Sequence, residues 1–186
     1  MRAVSPTDRG GSEAAETADA AVERLYAEQW VSMVRLSYLL VHDQGRAEEI
    51  VQDSLVAVHQ RWHRLADPAS AAAYLRQAVV NRSRSALRHR GVVERFLARQ
   101  APPPDAPPAD DAALATDRRE TVLAALRRLP RRQREVIVLR YYLDLSEAEI
   151  ARTLGVTRGA VKSHASRGSA ALRSMLEGER KEGGDA

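Results

Sequence analysis

The stretch Leu145-Ser146-Glu147-Ala148-Glu149-Ile150-Ala151-Arg152-Thr153-Leu154-Gly155-Val156-Thr157-Arg158-Gly159-Ala160-Val161-Lys162-Ser163 decides the fold. Ser146 and Glu149 stand three apart, the spacing of a capping box, in which each side chain satisfies the other residue's free backbone N–H at a helix start. Ile150, Ala151 and Leu154 then face one side. Gly155 suits the left-handed position that closes a helix, Val156 plugs the turn, and Thr157 can cap a second helix. That helix carries Val161, Ala165, Gly168, Leu172 and Met175 inward. A short helix, a glycine turn and a longer helix read as a helix-turn-helix. The second helix of such a motif lies in the major groove, so its exposed early positions must offer hydrogen-bond donors of the right reach. Here they are Arg158, Lys162, Ser163, His164, Ser166 and Arg167, while Gly159 and Ala160 let the helix N-terminus approach a phosphate. Arg134, Arg140 and Arg152 are placed to grip the flanking backbone. The bland alternative is a helical hairpin with a solvated charged face; the capping box, the glycine and the apolar plug together favour DNA binding.

Working outward, Val136, Ile137, Leu139 and Leu143 define a helix after a break at Pro130, and Val122, Leu123, Leu126 and Leu129 define one before it. Upstream of these, Pro102, Pro103, Pro104, Pro107 and Pro108 lie among alanines with Asp105, Asp110 and Asp111. That is the composition of a solvated, stiff spacer between two lobes. In the first lobe, Val22, Leu25, Tyr26, Trp30, Met33, Ser37 and Leu40 recur three or four apart and predict a helix from Ala21 to about His42, followed by an Asp43-Gln44-Gly45 turn. A second helix from about Arg46 turns Ala47, Ile50, Val51, Leu55, Val58 and Trp62 inward and leaves Glu48, Glu49, Gln52 and Asp53 clustered outside. Asp67 followed by Pro68 signals a third helix start. This helix runs to about His89, with Tyr74, Leu75, Ala78, Val79 and Leu87 inward and Arg76, Asn81, Arg82, Arg84, Arg88 and Arg90 on the remaining surface. The expected layout is all-α: a flexible leader 1–20, a helical domain 21–91, a Pro/Ala-rich linker 92–116, a helix-turn-helix domain 117–177 and a flexible tail 178–186.

Composition narrows the function classes. The chain has 186 residues, 44% of them hydrophobic, enough for two small cores, and its single Phe and two Trp beside abundant Ala, Leu, Arg and Glu favour helix over sheet. The net charge is only +4, yet nearly every basic residue is Arg, the side chain suited to phosphate and base edges. With no Cys there is no disulfide framework, thiolate metal site or cysteine nucleophile. The first twenty residues lack the apolar core of a signal peptide and no stretch is long enough to span a bilayer, so a cytoplasmic protein without membrane insertion is expected. His59 and His63 sit four apart on a helix, but no third ligand is near, so no metal is expected. No glycine-rich phosphate loop, hydrolase elbow or paired catalytic acids appear. The expectation is a non-enzyme without cofactors.

Leu129-Pro130-x-x-Gln133-Arg134-Glu135-Val136, then Leu139-Arg140-Tyr141-Tyr142, Leu145 to Ala151, and Leu154-Gly155-Val156 through Val161-Lys162-Ser163 resemble the promoter-binding domain four of bacterial sigma factors. That half alone also resembles the DNA-binding domain of LuxR-type response regulators, so the N-terminal half decides. There, Ala47-Glu48-Glu49-Ile50-Val51-Gln52-Asp53 is similar to the sigma segment that docks on the clamp helices of core RNA polymerase, and an acidic, amide-bearing face suits a basic coiled coil. Asp67-Pro68 through Ala73-Tyr74-Leu75-Arg76, Val80-Asn81-Arg82 and Leu87-Arg88 resembles the sigma regions that melt the minus-ten element and capture its unpaired strand. Capturing a single strand takes backbone cations, a stacking surface and amides for base edges; Tyr74, Arg76, Asn81, Arg82, Arg84 and Arg88 supply these types, although the spacing of Tyr74 fits a core position equally well. Neither a domain one nor a domain three is visible, as in the extracytoplasmic-function (ECF) sigma factors of the sigma-70 superfamily. Tyr38-Leu39-Leu40, Arg61-Trp62, and Tyr74-Leu75-Arg76 with Val80-Asn81 look like an actinobacterial, SigE-like subgroup. Leu55 stands where the family often has Phe, and His164 where it commonly has Arg or Gln, so promoter preference is not carried over.

The resemblance implies bipartite recognition. The first lobe binds core polymerase through Glu48, Glu49, Gln52 and Asp53 and opens minus-ten DNA through the third helix. The helix-turn-helix binds the duplex minus-thirty-five element, and tethering raises the effective concentration of the second contact. The usual regulators of the family, anti-sigma factors, clamp the lobes together. One rival is an ordinary helix-turn-helix regulator that binds duplex operators alone. Another is a helical adaptor whose arginines bind acidic proteins and tolerate Lys, which bidentate base readout does not.

Overall fold

The computed structural model describes residues 17–65, 70–97 and 114–182, and every regular element among them is helical. The first lobe holds α1 (Ala18–Val41), α2 (Gln44–Arg61), a 3-10 turn (Trp62–Arg64) and α3 (Ala71–Leu97). The second holds α4 (Leu114–Arg128), α5 (Arg131–Tyr141), α6 (Glu147–Leu154) and α7 (Arg158–Glu182). Among the described residues no helix is long and apolar enough to cross a membrane.

Capping residues explain where the first helices differ from expectation. Thr17 accepts the Ala20 N–H through its hydroxyl, so α1 starts before Ala21 and takes in residues assigned to the leader. Asp43 accepts the Arg46 N–H at 2.9 Å, which puts Gln44 and Gly45 inside α2 and shortens the expected turn. The reversal falls on His42, which adopts φ 60°. A left-handed residue with a Cβ costs about 1 to 2 kcal/mol. Here the His42 N–H is tied to the Tyr38 carbonyl at 2.7 Å.

The core of the first lobe joins Leu25, Leu36 and Leu40 of α1, Ile50, Val51, Leu55 and Val58 of α2, and Leu75, Val79 and Val80 of α3. Ser37 and Ser83, both fully buried, satisfy each other at 3.2 Å, and buried Ser54 donates to the Ile50 carbonyl. Tyr26, expected inward, is 52% exposed and leans on Trp30 with ring centroids 4.9 Å apart. Gly91 does not stop α3, which passes the expected end at His89 and continues to Leu97. The Asp67-Pro68 start and the prolines of the spacer lie outside the described residues. Helix nevertheless reaches into the expected 92–116 linker from both sides, since α3 ends at Leu97 and α4 begins at Leu114.

In the second lobe Leu126, Leu129, Val136, Ile137, Leu139, Ile150, Leu154, Val161 and Ala165 form the core, while Val122, expected inward, is 42% exposed. Gly168 lets α7 lie close on α5: a Cβ there would stand 2.9 Å from Ile137 Cγ1 and 3.3 Å from Gln133 Cβ.

Candidate nucleic-acid interface

The helix-turn-helix is built as its sequence signals. Glu149 N–H donates to Ser146 Oγ at 3.3 Å and Ser146 N–H to Glu149 Oε2 at 2.9 Å, completing the capping box. The Ser146 hydroxyl, and after it the Ser146 N–H, hold the Glu149 carboxyl below the ordinary carboxylate range. Gly155 takes φ 64°, and the pair of bonds Val156 N–H to Ala151 O and Gly155 N–H to Arg152 O makes a Schellman closure. Thr157 Oγ1 then accepts the Ala160 N–H and starts α7. With Val161, Ala165 and Gly168 buried, Arg158, Lys162, Ser163, Ser166 and Arg167 are left exposed on the opposite side. Arg167 folds back on Ser163, donating to its hydroxyl at 2.7 Å, and Lys162 lies 4.0 Å from Glu147. His164 differs from the other five: it is half-buried, and its Nδ1 is a buried atom with no hydrogen bond.

On α3 the six residues singled out from the sequence divide between faces. Tyr74, Asn81 and Arg82 line an open groove of about 530 Å³ with Arg46, Ile50, Asp53, Ser85 and His89, between α2 and α3. Tyr74 is half-buried there, and the Arg61 guanidinium stands 6.0 Å from its ring centroid, which is cation–π range. Arg82 donates to the Asp53 carbonyl and ties α3 to α2. Arg88 is exposed and donates to Ser85. Arg76 and Arg84 face the other way, into the second lobe.

The acidic face of α2 is open. Glu49, Gln52 and Asp53 are exposed and Glu48 is half-buried at the rim of a cleft shared with α4. Gln44 donates to Glu48 and Arg46 to Glu49, so the carboxylates have local partners along the helix. Farther along α2, His59 stands 2.9 Å from Asp19, and no group of three His, Cys, Asp or Glu that could hold a metal ion comes together among the described residues.

Between the lobes lies an ionic cluster that periodicity did not single out. The Glu135 side chain is 2% exposed and takes both forks of Arg84, at 2.9 Å each. It also accepts from Arg132 at 3.0 Å and lies 3.8 Å from Arg131. Arg84, itself 13% exposed, reaches toward the Leu154 carbonyl at 3.5 Å. Arg134, expected to grip DNA backbone, turns inward instead. It donates to the Arg127 and Leu129 carbonyls of its own lobe and, across the junction, to the Leu40 carbonyl and His42 Nε2. Burial, then the nearby Arg134, Arg127 and Arg90 charges, push His42 down from 6.5 to about 4, so it stays neutral and can accept. Arg76 is held below its ordinary value by burial, opposed by Glu149 and reinforced by Arg152 of α6. Tyr142 donates to the Ser32 carbonyl of α1 at 3.3 Å. The cavity left beside Leu40, Ser83, Leu87 and Glu135 is about 10 Å³. That is room for roughly one water at most. One sequence signal could have exposed this cluster: Glu135 is four residues before core Leu139 and therefore on its face, where a carboxylate needs a buried partner.

A capped helix-turn-helix with an exposed donor row, joined to a second helical lobe with an acidic face and a cationic helix, defines a two-part DNA-binding transcription protein. Residues 27–92 match the sigma-70 region 2 model and residues 119–172 match the sigma-70 region 4 model. The RNA polymerase sigma-E factor of Streptomyces avermitilis is 34% identical over 78% of this chain and 79% of its own. The ECF sigma factor SigL of Mycobacterium tuberculosis is 34% identical over 88% and 93%. In fold, the chain is similar to sigma factor RpoE of Bartonella quintana, crystallised with the anti-sigma factor NepR, with TM-score 0.67, 23% identity and coverage of 83% and 96%. The chain belongs to the sigma-70 superfamily as an RNA polymerase sigma factor of the ECF type. It acts in transcription initiation, with core RNA polymerase and promoter DNA as its partners, and the LuxR-type regulator is not favoured.

Proposed function

We propose that the two lobes divide promoter recognition between named surfaces. The start of α7, with Arg158, Lys162, Ser163, Ser166 and Arg167, reads the duplex minus-thirty-five element, with His164 behind them as a shape-setting residue. The groove of Tyr74, Asn81 and Arg82, with Arg76, Arg84 and Arg88, opens and holds the minus-ten strand. Glu48, Glu49, Gln52 and Asp53 of α2 dock on core polymerase. The protein works by binding alone, without catalysis or cofactor, in the cytoplasm where its polymerase is. The RpoE relative was crystallised with an anti-sigma factor, and the reading extends to a regulator of that class here. The observation that carries the proposal is the exposed donor row on α7, opposite a face anchored by Val161, Ala165 and Gly168.

The test is transcription in vitro with bacterial core polymerase, this protein and a genomic promoter pool, with sequencing of new transcript starts. New starts should share two spaced upstream elements. Arg158→Ala and Lys162→Ala should relax the upstream element, each good base contact being worth about 1 to 3 kcal/mol of discrimination. Glu49→Lys with Asp53→Lys should abolish binding to core. Specific duplex binding without core binding or new starts would return the chain to the ordinary regulator.

A further inference from the structure

The outer face of α1 holds none of the residues assigned to promoter DNA or core polymerase. Glu23, Ala27, Val31 and Arg35 recur every four residues on it and all four are exposed, so they form one ridge along the helix. Val31 is 68% exposed, and the stacked Tyr26 and Trp30 flank it. Trp30, Val31 and Arg35 also border an open cleft of about 540 Å³ whose far wall is Arg119 and Leu123 of α4. Large apolar side chains grouped at a surface mark a contact with another molecule more often than isolated ones do. The charges differ in the same way. Arg24 and Glu28, beside the ridge, pair with each other at 3.6 Å, whereas Glu23 and Arg35, at its two ends, make no ion pair among the described residues.

We propose that the occupant of this ridge is a second copy of the chain, lying antiparallel along α1 about a two-fold axis level with Gln29. A two-fold interface joins one patch to itself, so the patch must be self-complementary. Here the antiparallel register sets Val31 of each copy against Ala27 of the other, a large side chain against a small one. The same register sets Glu23 against Arg35 at both ends. Parallel pairing would instead oppose Glu23 to Glu23 and Arg35 to Arg35, which repel. Rows of residues four apart are the ridges by which packed helices interlock. With Tyr26 and Trp30 covered and the charges at the ends, the contact has an apolar centre and a polar rim, the layout of a specific interface. The contact is independent of how the chain reads DNA.

Small interfaces of this kind reach micromolar affinity, so sedimentation velocity of the full chain over roughly 1 to 100 µM should show monomer passing into dimer. Glu23→Arg and Arg35→Glu should each leave only monomer, because each sets like charges together at both ends. The double variant should dimerise again, and so should an equimolar mixture of the two single variants, since opposite charges then face each other. All four positions are exposed, and circular dichroism checks that the variants keep their helix content. The chain has no cysteine, which permits a second measurement of direction. Oxidation of a mixture of Ala27→Cys and Val31→Cys should give a covalent dimer joining position 27 to position 31. Monomer at every concentration overturns the self-contact and leaves a helix of another protein as the occupant of the ridge. A dimer that ignores the charge reversals, or cross-links only 31 to 31, overturns the antiparallel α1 pairing.

Discussion

The two helices proposed to meet DNA carry similar side chains in opposite circumstances. On α7 the donors project from a lobe whose own core fixes the helix from behind, and five of the six positions are exposed. On α3 the donors surround the helix, and the second lobe covers Arg76 and Arg84 while Tyr74, Asn81 and Arg82 stay in an open groove. A recognition helix can be displayed by local packing alone. A helix used on more than one side is exposed only when the rest of the molecule stands away from it, so its availability depends on conformation.

The largest effect that can break this comparison is at Glu135. Its removal leaves Arg84 buried without its carboxylate, and breaking such a pair costs about 3 to 5 kcal/mol. Thermal denaturation of Glu135→Ala should show a loss of that order, while Lys162→Ala, at a side chain 69% exposed, should change stability by no more than about 0.5 kcal/mol. Equal, small shifts for both would mean that the α3 junction is no more constrained than the α7 surface.

Next in size is Gly168→Ala, which places a methyl 2.9 Å from Ile137 Cγ1. Overpacking of this kind costs about 1 to 3 kcal/mol. Because Ile137 and Gln133 back the helix at this point, a shift of α7 away from α5 should lower duplex binding along with the melting temperature. Ser146→Ala removes half of the capping box and should cost about 1 kcal/mol. It should also return the Glu149 carboxyl toward its ordinary range, readable by NMR titration, because the Ser146 hydroxyl is the first cause of its depression.

These effects follow how much the sequence disclosed. The capping box, Gly155 and Thr157 are local signals, so the whole helix-turn-helix and its exposed row could be read from spacing. Ala47, Ile50, Val51, Leu55, Val58 and Trp62 were legible as an inner face for the same reason. Tyr26 and Val122 misled because an apolar residue at the right phase can still fall at the edge of a face. The split of α3 was not legible: periodicity gives the faces of a helix but not which of them another lobe will cover. Arg134 and Glu135 belong to the segment that resembles domain four, yet their partners lie at Leu40, His42 and Arg84, distant in sequence.

The smallest predicted effect is a pH dependence of the junction, carried by His42. In the closed form its neutral Nε2 accepts from Arg134, and burial with the Arg134, Arg127 and Arg90 charges lowers its pKa from 6.5 to about 4. Opening removes the second-lobe arginines and much of the burial, so the ring returns toward its ordinary value and binds a proton more readily. The form that binds more protons gains as pH falls. The closed form therefore keeps its full advantage above pH 6.5 and loses it progressively between 6.5 and about 4. One proton sets the limit: the closed-to-open ratio changes by at most about tenfold per pH unit. The melting temperature should fall over that window, and His42→Asn should flatten the change, since Asn tolerates the left-handed backbone and accepts a hydrogen bond without titrating there. Carboxylates that titrate near the acid end act equally on both proteins and cancel in the comparison. Superimposable curves would show that the α1 end of the junction is held by the Leu40 carbonyl and Tyr142 alone, with His42 a bystander.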